Sequence, residues 1–210
     1  MTSNGDVHLD ELEVDALTEL VNIGVSRAAV SLRELVGEQV LLSVPSFAIL
    51  SRAQAAELVS RGASSLLVAV RQGFHGGFSG RALLIFPETN SLELVRVVAG
   101  RHLSLEDIVD LEQEALAEIG NIILNSCMAS IANLLQRNLT MSLPEIVRGT
   151  GLELFGLLPA GADDIVLFIR INFSLKGHEI SGYLAMVMDL LSLASLKALI
   201  AEFIRRETRE

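Results

Sequence analysis

The chain has 210 residues, half of them apolar, with 16 basic and 26 acidic side chains, four His, one Cys and no Trp. That is enough chain for one core or two small halves, too apolar for disorder, and a lone Cys excludes an internal disulfide framework. A formal charge of −10 repels phosphate backbones and anionic lipid, which argues against nucleic-acid and membrane-surface partners.

The opening residues, MTSNGDVHLDELEVD, are polar and acidic, with no basic n-region or apolar h-region, and do not read as a secretory leader. A first helix is expected from about Asp10 to Val36, stopping before Gly37. A strand follows around Val40 to Val44, where Pro45 removes a backbone donor and bends the strand or confines it to an edge. Ser51 then caps a short helix over residues 51–60. Strands are expected over Ser65 to Gln72 and Phe78 to Phe86, turning at Gly76-Gly77, and a helix from Asn90 to Ala99 closes this part.

Ser104 with Asp107 resembles a capping box, opening a helical region that reaches about Gln136. Strands are expected near Leu139 to Val147, Leu152 to Leu157, Ile165 to Phe173 and Ile180 to Met188. Residues Gly182 to Ile204 are apolar and about long enough to span a bilayer. Asp189 and Lys197 interrupt them, which is costly at a bilayer centre, so the stretch reads as a buried strand followed by a helix from Leu190. The expectation is a cytoplasmic protein without membrane insertion. Strands joined by short turns favour antiparallel pairing and place the chain in the α+β class.

The chain also repeats itself. Asp15-Ala-Leu-Thr-Glu19-Leu-Val-Asn22-Ile aligns with Glu114-Ala-Leu-Ala-Glu118-Ile-Gly-Asn121-Ile at an offset of 99, as does Ser43-Val44-Pro45 with Ser142-Leu143-Pro144. Ser79-Gly80 aligns with Ser181-Gly182 at an offset of 102. A period near 100 is too long for a solenoid and predicts a duplicated half-domain. Residues 1–210 are therefore read as one pseudo-two-fold domain, with halves at about 8–101 and 102–206. The short helix over 51–60 has no evident counterpart.

At about 100° per residue, Asp15, Glu19, Asn22 and Ser26 share one stripe of the first long helix. Leu17, Leu20, Gly24, Ala28, Ser31 and Leu35 take the opposite face. Glu114, Glu118, Asn121 and Asn125 form the same stripe on the second, over a buried face of Leu116, Ile119, Ile123, Cys127, Ser130 and Leu134. A carboxylate and an amide at i, i+3 on an exposed helix face have little specificity alone. Their weight comes from being kept, with a later Pro, in both diverged copies.

Other constellations are poorer. His8, His75, His102 and His178 lack metal-ligand spacing, which argues against a metal site. Cys127 lies on a buried stripe and reads as a small core residue. Gly73 to Gly80 is glycine-rich but lacks the Lys and Ser/Thr of a phosphate loop, so it reads as a hairpin. Asp163 and Asp164 read as a solvated loop pair, and the basic tail from Arg205 as a frayed helix end.

Asp15, Glu19, Asn22 and Pro45, with 22 residues between Asn and Pro, resemble the signature of the CheC and CheX chemotaxis phosphatases. Glu118, Asn121 and Pro144 repeat it at the same interval. Two copies resemble CheC rather than single-copy CheX. Two positions depart from the pattern. Glu114 stands where the family has Asp or Ser. Val21 stands where the family has a small residue such as Gly120, placing a branched side chain beside the stripe that could crowd a partner.

The resemblance implies an α+β, pseudo-two-fold fold with an antiparallel sheet and two motif-bearing helices. It implies hydrolysis of the aspartyl phosphate of a CheY-type response regulator. In that picture Asn22 or Asn121 orients the attacking water, as Gln does in small GTPases. Glu19 or Glu118 pairs with the regulator's Lys, Asp15 and Glu114 support docking, and Pro45 and Pro144 are structural. The protein needs no cofactor or metal of its own, since Mg²⁺ is expected on the regulator. CheD is a second candidate partner, and a non-catalytic adaptor binding CheD or a regulator is the alternative reading. A generic α+β domain does not account for the doubled Pro interval.

Overall fold

The computed structural model describes residues 9–37, 39–61, 66–99, 105–156, 165–175 and 178–208. Helix α1 (Glu11–Val36) starts at a capping box in which Asp10 and Glu13 bond each other's backbone N–H, and ends at Gly37 in the left-handed region (φ 74°). Strand β1 (Val40–Ser51) leads into α2 (Arg52–Ser60), capped by Ser51 and Gln54. The hairpin β2 (Leu67–Gly76) and β3 (Gly80–Pro87) is followed by α3 (Glu88–Ala99).

The second half runs α4 (Leu105–Leu134), β4 (Leu139–Met141), β5 (Glu145–Gly149), α5 (Gly151–Gly156), β6 (Ile165–Leu175), β7 (His178–Met188) and α6 (Leu190–Glu207). The apolar stretch 182–204 divides at Asp189, which caps α6 by accepting from Ser192 N–H at 2.7 Å. Residues 111–134 of α4 are long and apolar enough to cross a bilayer by length and composition, yet they pack against α1 and the sheet. Ser104, the loop at Asp163 and Asp164, His8 and His102 lie outside the described residues.

Three expectations need correction. The strand expected near 139–147 is two strands, β4 and β5, because the segment around Pro144 leaves the ladder. The strand expected at 152–157 is helical over Gly151–Gly156, and Leu157 lies outside the described residues. Thr150 and Glu153 form its start: Thr150 N–H donates to Glu153 Oε2 at 2.7 Å and Thr150 Oγ1 accepts from Glu153 N–H at 3.3 Å. The bonds from Thr150 hold the Glu153 carboxyl below its ordinary range. The third correction follows, since α2 does have a counterpart: α5 follows β5 as α2 follows β1. The two helices pack together, with the Arg52 guanidinium donating to the Phe155 carbonyl.

All strand pairings are antiparallel, in the order β1-β6-β7-β3-β2-β4, with β5 also on β2. Exchange the elements of one half for those of the other and the order reads the same backwards. Both outer edges carry the same irregularity. Between Ser43 and Ser46, β1 takes three steps against two on β6. Between Met141 and Glu145 the second edge takes four against three on β2. Pro45 and Pro144 sit at these two slips, on edge strands, where a missing N–H is tolerated.

One sheet face is covered by α1, α4, α3 and α6 over the main core, including Leu17, Val70, Phe74, Leu84, Ile119, Phe173 and Ile200. The other carries α2 and α5 over a smaller cluster that includes Leu67, Leu83, Ile85, Phe155 and Phe168. The long helices touch closely: a Cβ on Gly24 would meet the Cys127 backbone at 2.6 Å.

Candidate functional site

On α1 the capping box sets the phase that turns Leu17, Leu20, Val21 and Ala28 into the core. Asp15, Glu19 and Ser26 are then exposed and Asn22 is partly buried. Among the described residues no side-chain hydrogen bond restrains Glu19 or Asn22. Val21 is fully buried, so the expected crowding of a partner does not occur; the branched side chain is part of the main core. Leu35, expected on the buried face, is 48% exposed.

On α4, Leu116, Ile119, Ile123 and Cys127 are buried, while Glu114 and Glu118 flank the partly buried Asn121. Glu114, Glu118, Asn121 and Pro144 line one open groove of about 760 Å³ whose apolar wall includes Leu35, Val98 and Leu111. Thus α4, the Pro144 segment, the end of α1 and α3 all contribute to it. The four second-motif residues are brought together in space, although Pro144 is far from the others in sequence.

Asn121 also has partners that its motif does not reveal. Gln72 Nε2 donates to Asn121 Oδ1 at 3.1 Å, and Asn125 Nδ2 donates to the same oxygen at 2.7 Å. Gln72 Nε2 also donates to the Ser142 carbonyl at 2.9 Å. Gln72 is only 1% exposed. Its signal in the sequence is a polar residue on the inward phase of β2, between Val70 and Phe74. The helix reaches this strand because residue 120 is Gly: a Cβ there would sit 2.5 Å from the Val70 side chain.

Elsewhere, burial pushes the Cys127 thiol up to about 12, which removes it as a nucleophile at neutral pH. Among the described residues no group of three or more His, Cys, Asp and Glu side chains is placed to hold a metal ion. His178 Nδ1 lies 2.7 Å from Glu93 Oε1, and Arg71 pairs with Glu145 at 2.5 Å, holding that carboxyl below its ordinary range. What the groove offers is two carboxylates for a cation and one amide for water or a phosphoryl oxygen.

Residues 68–168 match the family model described as chemotaxis phosphatase CheX, a span that contains Gln72 and the whole second motif. The chain is 23% identical over 208 residues to the flagellar motor switch phosphatase FliY of Bacillus subtilis (strain 168), covering 96% of this chain and 52% of that one. It therefore spans about half the length of this relative. It is 24% identical over 193 residues to the CheY-P phosphatase CheC of the same organism, covering 86% of this chain and 90% of that one. The crystal structure of Thermotoga maritima FliY superposes with a TM-score of 0.73 at 18% identity, over 93% of this chain and 98% of that one, which shows a common fold. The family model on the second motif, two relatives along most of the chain and the shared α+β architecture make the chain similar to the CheC-type chemotaxis phosphatases in sequence and in fold.

Proposed function

We propose that this chain hydrolyses the aspartyl phosphate of a phosphorylated CheY-type response regulator. The observation that carries the reading is the convergence of Glu114, Glu118, Asn121 and Pro144 on one groove. The curated relative CheC, named as a CheY-P phosphatase, supports the same substrate class.

An aspartyl phosphate is an acyl phosphate, already prone to hydrolysis, so the protein has to dock and position more than it has to activate. The regulator brings its own Mg²⁺ and Lys to the reaction. In this mechanism Glu118 pairs with that Lys, Glu114 supports the contact one turn earlier, and the Asn121 amide holds the attacking water in line. Asp15, Glu19 and Asn22 repeat the roles on α1. A loose phosphoryl-transfer transition state needs little early proton removal from water, so neither carboxylate acts as general base. Positioning of this kind supplies several kcal/mol.

The test follows phosphate loss from a phosphorylated CheY-type regulator with wild type, Asn22→Ala, Asn121→Ala and the double variant. The double variant is expected to fall to the regulator's own hydrolysis rate, and Asn121→Ala to lose more than Asn22→Ala. Full activity in the double variant sinks the mechanism. No acceleration by wild type, with binding intact, turns the reading to an adaptor for a regulator or CheD.

A further inference from the structure

Ser142 lies in the gap between β4 and β5. Its N–H donates to the Gly73 carbonyl and its Oγ accepts from Gly73 N–H, both at 2.9 Å. Its own carbonyl is met by a side chain, Gln72 Nε2, at 2.9 Å. A carbonyl can only accept, so this contact decides which way the Gln72 amide faces. The remaining hydrogen of Nε2 goes to Asn121 Oδ1 at 3.1 Å, and Asn125 fills the other acceptor position of that oxygen at 2.7 Å. Rotating the Asn121 amide would set its NH₂ against that of Gln72.

Buried Gln72 Oε1 and Asn125 Oδ1 are left without hydrogen-bond partners. Leaving buried acceptors unpaired is destabilising, and both side chains have their donors turned to the one oxygen of Asn121. Among the described residues the first motif has no such device. Ile171 stands opposite the β1 slip as Gln72 stands opposite the second, and Ser26 replaces Asn125 at the offset of 99.

We propose that Gln72 is a positioning residue for the second site: read from the Ser142 carbonyl, it pins Asn121 with its NH₂ toward the groove. The amide then works as a donor, to the oxygen of water or of the phosphoryl group. This rests on the phosphatase reading above.

The experiment uses Gln72→Met, which keeps the side chain's length and removes its amide, in an Asn22→Ala background that leaves only the second site. Hydrolysis of the phosphorylated regulator is expected to lose about tenfold in kcat, the worth of one oriented hydrogen bond, with KM unchanged because buried Gln72 cannot touch the regulator. With Asn121→Ala also present, Gln72→Met is expected to cost nothing further. An unchanged kcat, or the same loss without Asn121, overturns the proposal. Side-chain ¹⁵N relaxation gives a readout independent of turnover: the Asn121 amide is expected to be ordered in wild type and to gain fast motion in Gln72→Met. Unchanged Asn121 order refutes the pinning, whereas full hydrolysis by Asn22→Ala/Asn121→Ala refutes the phosphatase reading instead. If Gln72→Met does not fold, Asn125→Ala removes the other donor and carries the same expectations.

Discussion

Glu13 and Glu112 stand 99 residues apart, the offset of the motif residues that follow each of them. They are 6% and 5% exposed, and each ties its long helix to the closing helix of the other half. Glu13 accepts from Asp10 N–H at 2.8 Å and meets Lys197 Nζ of α6 at 3.2 Å. Glu112 accepts from Ser91 Oγ of α3 at 2.9 Å and from Arg148 Nη2 of β5 at 2.5 Å. Arg148 is partly exposed, so water can take over part of its solvation when the carboxylate is lost. Glu112→Ala is therefore expected to cost about 1–3 kcal/mol, chiefly from buried groups losing a charged partner. Glu112→Gln, which can still accept from Ser91, is expected to cost less than half as much. Urea unfolding of the two variants measures this. A difference from wild type below about 0.5 kcal/mol for Ala, the usual scatter of surface substitutions, would show that Glu112 anchors nothing.

At the scale of elements, α4 meets β2 where Gly120 rests on Val70. A methyl group at residue 120 has no room at 2.5 Å from that side chain, so helix or strand must shift. Gly120→Ala is expected to destabilise by about 1–3 kcal/mol, as overpacking does, and to slow hydrolysis at the second site by moving Asn121 away from Gln72. Thermal unfolding with turnover in the Asn22→Ala background checks both effects; a stability gain from the better helix former would show that the contact is slack. The same elements show how much a sequence discloses. Helix α1 is legible because its apolar period and its Asp10 and Gly37 ends agree. Both motif stripes are legible because helical phase is local. Helix α5 escapes because Leu152, Leu154 and Phe155 read as a strand, although Thr150-x-x-Glu153 is a capping-box pattern. Gln72 is invisible as a site residue because its importance comes from a partner 49 positions away, brought near only by packing.

For the whole molecule, the strand order makes the halves interdependent. Strand β1 pairs with β6, β2 takes β4 and β5, and the centre of the sheet is β3 against β7. Each of these contacts joins one half to the other; among the described residues only the hairpins β2–β3 and β6–β7 pair within a half. The helices follow suit, with Gly24 of α1 against Cys127 of α4 and Arg27 Nη1 donating to Ser130 Oγ at 3.2 Å. A lone half therefore keeps one hairpin, leaves its edge strand unpaired and exposes the apolar face of its long helix, a combination too poor in buried surface to fold. The reversed strand order offers it one remedy, because a second copy of the same half can present an equivalent hairpin to the unpaired strand. Fragments 1–101 and 102–210 are accordingly expected to be unfolded or homodimeric when separate, and to regain native circular dichroism and regulator dephosphorylation when mixed. Size-exclusion chromatography with light scattering reads the outcome. A folded monomeric half would overturn the interlock, since its edge strand would then have found a partner that the intact sheet does not give it.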